Sequence, residues 1–166
     1  FAGVFDSSRD SIRFGYYPFQ DDISIRDGNL SFIIEENTAF HNNRNEAPMI
    51  GFVSTGNNIL FRQTGGLLRL SFKGLRNEMK YVVVESAGDS RHYLSGEALL
   101  AIDPDGMETF CITSGSYNRR FDLSFMDKDT MVYDMSVPFQ IGLYSCVKVC
   151  IIDENGDTLL SNSLSD

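Results

Sequence analysis

The dipeptide Asp27-Gly28 separates two short segments, residues 23–26 and 29–34, in which apolar and polar residues alternate. Asp-Gly provides the positive φ angles of a two-residue type I′ turn, the kind of turn that connects the strands of a β-hairpin. Such a loop places these residues opposite one another: Arg26 and Asn29, Ile25 and Leu30, Ser24 and Ser31, and Ile23 and Phe32. Because each apolar residue then faces an apolar residue, the pattern predicts an antiparallel hairpin in one register.

Three further turn segments lie between short apolar segments, at residues 55–58, at residues 103–106 and at Asn155-Gly156. Pro104 and Gly106 suit a type I turn, and Asn-Gly again favours a two-residue loop. Each segment is therefore predicted to connect the two strands of a hairpin. No part of the sequence has a convincing 3.6-residue periodicity, and the turn spacing predicts about ten or eleven strands.

Strict alternation in two other segments indicates strands with one buried face. The apolar positions are Leu68, Leu70 and Phe72 in the first segment and Phe121, Leu123 and Phe125 in the second. The polar positions between them are Arg69, Ser71, Lys73, Asp122 and Ser124. We predict that Leu68, Leu70 and Phe72 are almost completely buried.

The remaining segments fit the same fold class. Residues 79–85 contain three consecutive valines and predict a more deeply buried strand, whereas the polar residues 35–47 predict a long loop. The four prolines are predicted at turns or strand starts, where a missing N–H is tolerated: Pro18, Pro48, Pro104 and Pro138. The 166 residues contain no repeat or linker-like break. We therefore predict one all-β domain over residues 1–166, an antiparallel β-sandwich.

Composition excludes several classes of partner. The net charge of −9 and the isoelectric point near 4.6 disfavour binding to nucleic acid or to an anionic membrane surface. No apolar segment approaches the ~20 residues that a membrane-spanning helix needs.

Three cysteines make an odd number, so no disulfide framework is indicated. Cys146 and Cys150 lie four residues apart in a predicted strand, which separates them by about 13 Å, too far for a disulfide. We predict that Cys146, Lys148 and Cys150 share one face of this strand. The opposite, core-facing side would then carry Val147, Val149 and Ile151.

Patterns that suggest chemistry are each explained better by structure. Ser145 and Lys148 match the Ser-x-x-Lys motif, but that chemistry needs both side chains on one face of a helix, and these lie in a predicted strand. Residues 153–157 begin like a calcium loop, yet Thr158 and Leu164 occupy the positions that require Gly and Glu. Gly65-Gly66 precedes a predicted strand and not a helix, so it is not a phosphate-binding loop.

The other titratable residues form no recognisable constellation. His41 and His92 lie in polar segments that we predict to be exposed, and their spacing from the cysteines does not suit zinc. The acidic residues in predicted loops are Asp21, Asp22, Asp127 and Asp129. We predict no catalytic, cofactor-binding or metal-binding residue, and a protein that is not an enzyme.

Five segments, taken in order, resemble motifs of the bacteroidete fimbrillin family, whose members build or decorate surface fimbriae. They are residues 16–34, which include Tyr16-Tyr17-Pro18-Phe19; residues 47–51; residues 58–74; residues 93–98, which include Leu94-Ser95-Gly96; and residues 137–156. Two departures stand out. Thr64 occupies the position of the usual cysteine before Gly65, and the family's Pro-Gly is spread to Pro138 and Gly142.

The resemblance implies a transthyretin-like sandwich that is exported to the cell surface as part of an outer-membrane-associated fimbria. It implies a structural or adhesive subunit that joins other fimbrial subunits by strand exchange and meets surface glycans or proteins. We expect the chain to correspond to the N-terminal domain of such proteins, or to a one-domain relative without a second domain and a lipoprotein leader. A physical argument also favours assembly by strand addition, since an open sandwich leaves strand edges that can accept an extended segment.

A carbohydrate-binding β-sandwich module is the alternative. Its aromatic platform would come from Tyr16, Tyr17, Tyr93 or Tyr117. Tryptophan, the side chain that stacks most strongly on sugars, is absent from the sequence.

Overall fold

The computed structural model describes residues 14–17, 23–26, 29–39, 49–53, 59–102, 108–123, 132–140, 142 and 144–165. These residues form strands and contain no helix. In chain order the strands are β1 (Phe14–Tyr17), β2 (Ser24–Arg26), β3 (Asn29–Ile34), β4 (Asn37–Ala39), β5 (Met49–Val53), β6 (Ile59–Gln63), β7 (Gly66–Lys73), β8 (Tyr81–Ala87), β9 (Ser95–Ile102), β10 (Glu108–Ser116), β11 (Asn118–Asp122), β12 (Val132–Phe139), β13 (Cys146–Ile152) and β14 (Thr158–Ser165).

The described strands form four sheets with the orders β1-β5-β6, β10-β9-β3-β2, β14-β13-β8-β11-β4 and β12-β7. The all-β, antiparallel sandwich prediction is confirmed, with one exception in the pairing. Strand β4 runs parallel to β11, with Thr38 beside Phe121. This strand lies within residues 35–47, so the prediction of one continuous loop there is wrong for residues 37–39. The polar composition of residues 35–47 caused this error, because an edge strand with two exposed residues needs few apolar side chains.

The predicted hairpins are present. Strands β2 and β3 pair in the predicted register over Ser24–Arg26, whereas Ile23 lies just outside the ladder. Strands β5 with β6, β9 with β10, and β13 with β14 also pair as antiparallel neighbours. Asp27-Gly28, residues 54–58 and residues 103–107 lie outside the described residues.

The turn between β13 and β14 is held by Asp153. Its carboxylate Oδ1 accepts hydrogen bonds from the backbone N–H groups of Asn155 (2.9 Å) and Asp157 (2.8 Å). Gly156 has a φ of +91°, the left-handed conformation that the Asn-Gly pattern predicted. The predicted two-residue loop is wrong, however, because residues 153–157 connect the strands and the N–H of Asp153 donates to the carbonyl of Asp157 at 3.1 Å.

Two hydrophobic clusters form the core. The first contains residues of β8, β11, β12 and β13, and the half-buried Leu68, Leu70 and Phe72 of β7 pack against it. The second contains residues of β3, β5, β9 and β10, with Phe32 and Phe110 stacked at 6.2 Å between ring centroids. Each cluster thus draws its side chains from two sheets, as in a β-sandwich.

The burial predicted for β7 is only partly right. Leu68, Leu70 and Phe72 do face the core, and Arg69, Ser71 and Lys73 are exposed on the opposite side. The three apolar side chains are half-buried, however, and not almost completely buried. Among the described residues β7 pairs with β12 alone, so it has neighbouring strand side chains on one flank only.

Three smaller expectations also need correction. The valine-rich strand begins at Tyr81, two residues later than predicted, and alternates between half-buried and buried residues. Pro138 lies inside β12 and not at a strand start. Its missing N–H is tolerated there because β12 has a described partner on one side only. Phe121 and Leu123 are buried as predicted, whereas Ser124 and Phe125 lie outside the described residues.

Candidate functional site

Ser145 of the Ser-x-x-Lys motif makes hydrogen bonds that support the fold. Lys148 lies within β13, and Ser145 immediately precedes that strand. The Oγ of Ser145 accepts a hydrogen bond of 2.8 Å from the backbone N–H of Ser90, and the N–H of Ser145 is donated to the carbonyl of Ser90 at 3.3 Å. The serine hydroxyl therefore bridges two connecting segments.

The acidic turn after β13 has a structural role. Backbone hydrogen bonds, chiefly from Asp157, lower the pKa of Asp153 below its ordinary value. Among the described residues, no group of three His, Cys, Asp or Glu side chains is placed to hold a metal ion. Of the other residues considered, Asp21, Asp22, His41, Asp127 and Asp129 lie outside the described part of the chain.

His92 differs from its prediction, since it is half-buried and not exposed. The Nε2 of Gln140 lies 2.7 Å from its Nδ1, and the Tyr144 ring meets the imidazole edge-on at 4.7 Å between centroids. The Oε1 of Gln140 accepts the N–H of Ile112 at 3.0 Å. This network ties β10 and the end of β12 to the segment before β9. Polar sequence alone does not reveal it, because Gln140 is 48 residues from His92 and 28 residues from Ile112.

Tyr144 gives this network a measurable signature. Burial raises the pKa of Tyr144 from 10.0 to about 12, and its hydroxyl donates to the carbonyl of Gln140 at 3.1 Å. A raised tyrosine pKa stabilises the fold below pH 10, and that contribution is lost as the pH rises through about 12. We expect Tyr144→Phe to lose less stability than the unsubstituted protein between about pH 9 and pH 11 in urea unfolding. Equal losses of stability in the two proteins over this pH range would contradict the burial of Tyr144.

The tyrosines proposed for sugar stacking are occupied by other contacts. The rings of Tyr93 and Tyr117 stack on each other at 4.8 Å with an interplanar angle of 17°. The guanidinium of Arg91 lies 4.4 Å from the centroid of the Tyr117 ring, over its face. The hydrogen bond with the Tyr117 side chain raises the pKa of Tyr93. Tyr16 and Tyr17 lie in β1, and their side chains lie outside the described structure.

The edges of the described sheets differ in how well they are protected. Strands β2 and β4 contain three residues each, and β12 carries Pro138. Strand β10 is long, but it carries a register irregularity between Ile112 and Ser114, and Gln140 binds the N–H of Ile112. Bulges, short length and proline all discourage pairing with a further strand.

Strand β14 is less protected, since its register irregularity lies at its first residues, where Ile151 and Ile152 pair with Leu160 and Thr158. It contains eight residues, Thr158–Ser165, and none of them is charged or a proline. It pairs with β13 on one side, and the order of the sheet leaves its other side at the edge. The register places Leu160 and Leu164 opposite Ile151 and Val147, hence on the core-facing side. Both leucines are nevertheless exposed, by 52% and 56%. Strand β14 is therefore a long, neutral edge in which Leu159 packs on the first core cluster and Leu160 and Leu164 are uncovered.

The three cysteines are free thiols, and two of them, Cys146 and Cys150, lie in β13 next to this edge. Cys150 is buried, and its Sγ lies 3.5 Å from the Oγ of Ser161 in β14. Val147, Val149 and Ile151 pack on the core side of β13, as predicted.

Comparison of the chain with models of protein families, with curated proteins and with solved structures found no match. Within the part of the chain that the structure describes, no helix is long and apolar enough to cross a membrane.

Proposed function

We propose that this protein is a non-enzymatic structural or adhesive subunit of cell-surface fimbriae, exported to the outer surface, that assembles by β-strand addition at β14. The observation that carries the proposal is the exposed, uncharged edge formed by Thr158–Ser165. The ordered series of fimbrillin-like motifs in the sequence supports the cellular role.

The chemistry of β14 defines the segment that it would accept. An added strand gains its affinity from main-chain hydrogen bonds and its selectivity from alternate side chains. Apolar side chains next to Leu160 and Leu164 would cover these residues from solvent. The incoming segment should be neutral or basic, because the subunit carries a net charge of −9 whereas β14 carries no charge. The partner is therefore an extended, neutral or basic segment of a neighbouring subunit with apolar residues at alternate positions.

The sequence of β14 itself meets this description and provides a probe. In an antiparallel pair of two such strands centred on Asn162, Leu160 of each strand lies opposite Leu164 of the other. We expect a peptide with the sequence of residues 158–165 to bind the protein with a micromolar Kd. A peptide of the same composition, with the two leucines moved to opposite faces of the strand, should bind at least about tenfold more weakly.

Lysine substitutions test whether β14 is the accepting edge. We expect Leu160→Lys together with Leu164→Lys to weaken peptide binding at least about tenfold, because charged edge residues oppose strand pairing. Ile25→Lys is the matched control, since Ile25 is 55% exposed and lies on the three-residue edge strand β2. Isothermal titration calorimetry measures both. Assembly at β14 would be refuted if the lysine variant and the Ile25→Lys control bound the peptide equally, or if neither bound it at micromolar concentrations. Sedimentation would report any self-association through the same edge.

The carbohydrate-binding alternative receives less support. Tyr93 and Tyr117 are half-buried and stack on each other, and Arg91 lies over the Tyr117 ring. Sugar-stacking platforms need an open aromatic face, so this pair would have to separate before a sugar could stack on either ring.

A further inference from the structure

Two tyrosines at the ends of the β9–β10 hairpin are placed next to each other by the backbone. Tyr93 lies two residues before β9, and Tyr117 lies between β10 and β11. The N–H of Leu94 donates to the carbonyl of Ser116 at 2.8 Å, and the N–H of Ser86 donates to the carbonyl of Tyr117 at 2.8 Å. The hydrogen bonding of the strands and their connections therefore brings the two tyrosines together.

The side chains of these tyrosines are packed ring on ring. The centroids of the Tyr93 and Tyr117 rings are 4.8 Å apart, with an interplanar angle of 17°. Tyr93 also packs against the second core cluster, and the guanidinium of Arg91 lies over the Tyr117 ring at 4.4 Å from its centroid. Because each ring has a further contact, the stack is restrained from both sides.

The two hydroxyl groups lie at the same end of the stack. The hydrogen bond with the side chain of Tyr117 raises the pKa of Tyr93, as described above. Two nearly parallel, stacked rings whose hydroxyl groups are hydrogen-bonded point in the same direction. The ring carbons next to each hydroxyl group, the Cε atoms, therefore also lie side by side. These are the carbon atoms that carry unpaired electron density in a tyrosyl radical.

The other tyrosine rings whose contacts the structure describes meet different groups. The Tyr81 ring lies against the guanidinium of Arg120, and the Tyr144 ring meets that of Phe139 edge-on. Within the described part of the chain, the stack at the ends of the β9–β10 hairpin is thus the contact between two phenol rings.

We propose that Tyr93 and Tyr117 form a modification site, at which a one-electron oxidant couples them into a dityrosine within one chain. Each phenol loses one electron and its hydroxyl proton, and the two tyrosyl radicals join through a new Cε–Cε bond. The proton on each bonded Cε then moves to the oxygen of the same ring, which restores both hydroxyl groups. With a haem peroxidase as the oxidant, the two electrons and two protons reduce one hydrogen peroxide to two water molecules.

The new bond would join the two ends of the β9–β10 hairpin. A covalent cross-link between distant residues stabilises a fold by restricting the unfolded chain. The three cysteines are free thiols, so disulfide bonds do not provide such a restraint in this chain. The inference depends on the two stacked rings and is independent of strand addition at β14.

Oxidation of the dilute protein by a haem peroxidase and hydrogen peroxide tests the proposal. Trypsin and a glutamate-specific protease together cut the oxidised chain after Arg91, Glu97, Glu108 and Arg119. We expect mass spectrometry of the monomer to find residues 92–97 joined to residues 109–119, with two hydrogen atoms missing. If the dityrosine formed joins only other tyrosines, or links only separate molecules, the proposal is wrong.

The isolated peptide of residues 92–119 separates the effect of the fold from that of the sequence. It contains the same two tyrosines without the strands that hold them together. We expect the bond to form at least about tenfold faster in the folded protein, because the reacting rings are already in contact there. Equal rates in the protein and the peptide would overturn the proposal.

Phenylalanine substitutions identify the reacting rings. Tyr93→Phe and Tyr117→Phe keep an aromatic ring in the stack but remove one phenol, so each should abolish the cross-linked fragment. Tyr81→Phe is the matched control, because Tyr81 is also half-buried but contacts Arg120, and it should leave the yield unchanged. A cross-linked fragment that persists in either Tyr93→Phe or Tyr117→Phe would contradict the assignment.

Discussion

Replacing Gly96 by alanine is expected to lower the free energy of unfolding by at least about 3 kcal/mol. Gly96 has a φ of +121°, and a Cβ there would overlap the carbonyl oxygen of Ser114 on the neighbouring strand. Its partner in the ladder, Gly115, has a φ of +144°, and a Cβ there would overlap the carbonyl of Ser95. The two backbones therefore approach so closely that neither position accommodates a side chain.

Gly74→Ala is the control that separates backbone strain from this steric overlap. Gly74 also has a positive φ, +72°, but a Cβ there has nothing within 4 Å. We expect a loss of about 1 kcal/mol, the usual cost of the left-handed conformation for alanine. Urea unfolding of both variants measures the difference. Losses of stability of similar size in the two variants would show that the backbones of β9 and β10 do not approach each other as closely as described.

Phe32→Ala is expected to lower stability by about 3–5 kcal/mol, the usual cost of removing a fully buried aromatic ring. Phe32 is 1% exposed and stacks on Phe110 in the second core cluster. Truncation would leave a cavity between β3 and β10 that the stacked ring cannot fill without moving.

Phe72→Ala provides the comparison, since Phe72 is half-buried on β7. We expect it to cost only about 1–2 kcal/mol, because less apolar surface returns to water. This is well below the loss that complete burial would give. Denaturant unfolding should show a larger loss of stability for Phe32→Ala than for Phe72→Ala. The opposite order would mean that the main core lies between other sheets than those described.

Local pattern is sufficient to predict the parts of this fold that depend on neighbouring residues in the sequence. The register of β2 with β3 follows from a turn dipeptide and the facing apolar residues, both within twelve residues of each other. The left-handed Gly156 and the alternation of Phe121 with its neighbours also follow from local stereochemistry.

Other features depend on contacts between distant segments, and the sequence does not reveal these. The parallel pairing of β4 with β11 joins residues about 80 positions apart, and no local pattern in residues 37–39 indicates it. The half-burial of β7 depends on how many strands flank it, and the burial of His92 depends on Gln140 and Tyr144.

The candidate sites divide in the same way. An open strand edge is expected for any unclosed sandwich, but which edge is unprotected depends on the strand order that places β14 outermost. The exposure of Leu160 and Leu164 contradicts what alternation alone suggests, since both lie on the core-facing side. The stack of Tyr93 on Tyr117 likewise joins two residues that are separated by β9 and β10 in the chain.

Amide hydrogen exchange along β14, with and without the peptide of residues 158–165, tests the proposed assembly most directly. Alternate amides of β14 point away from β13 and should exchange rapidly in the protein alone. Strand addition predicts that these amides exchange at least about tenfold more slowly with saturating peptide, while the amides bonded to β13 change little. Unchanged exchange along β14, or new protection at another edge instead, would contradict assembly at this strand.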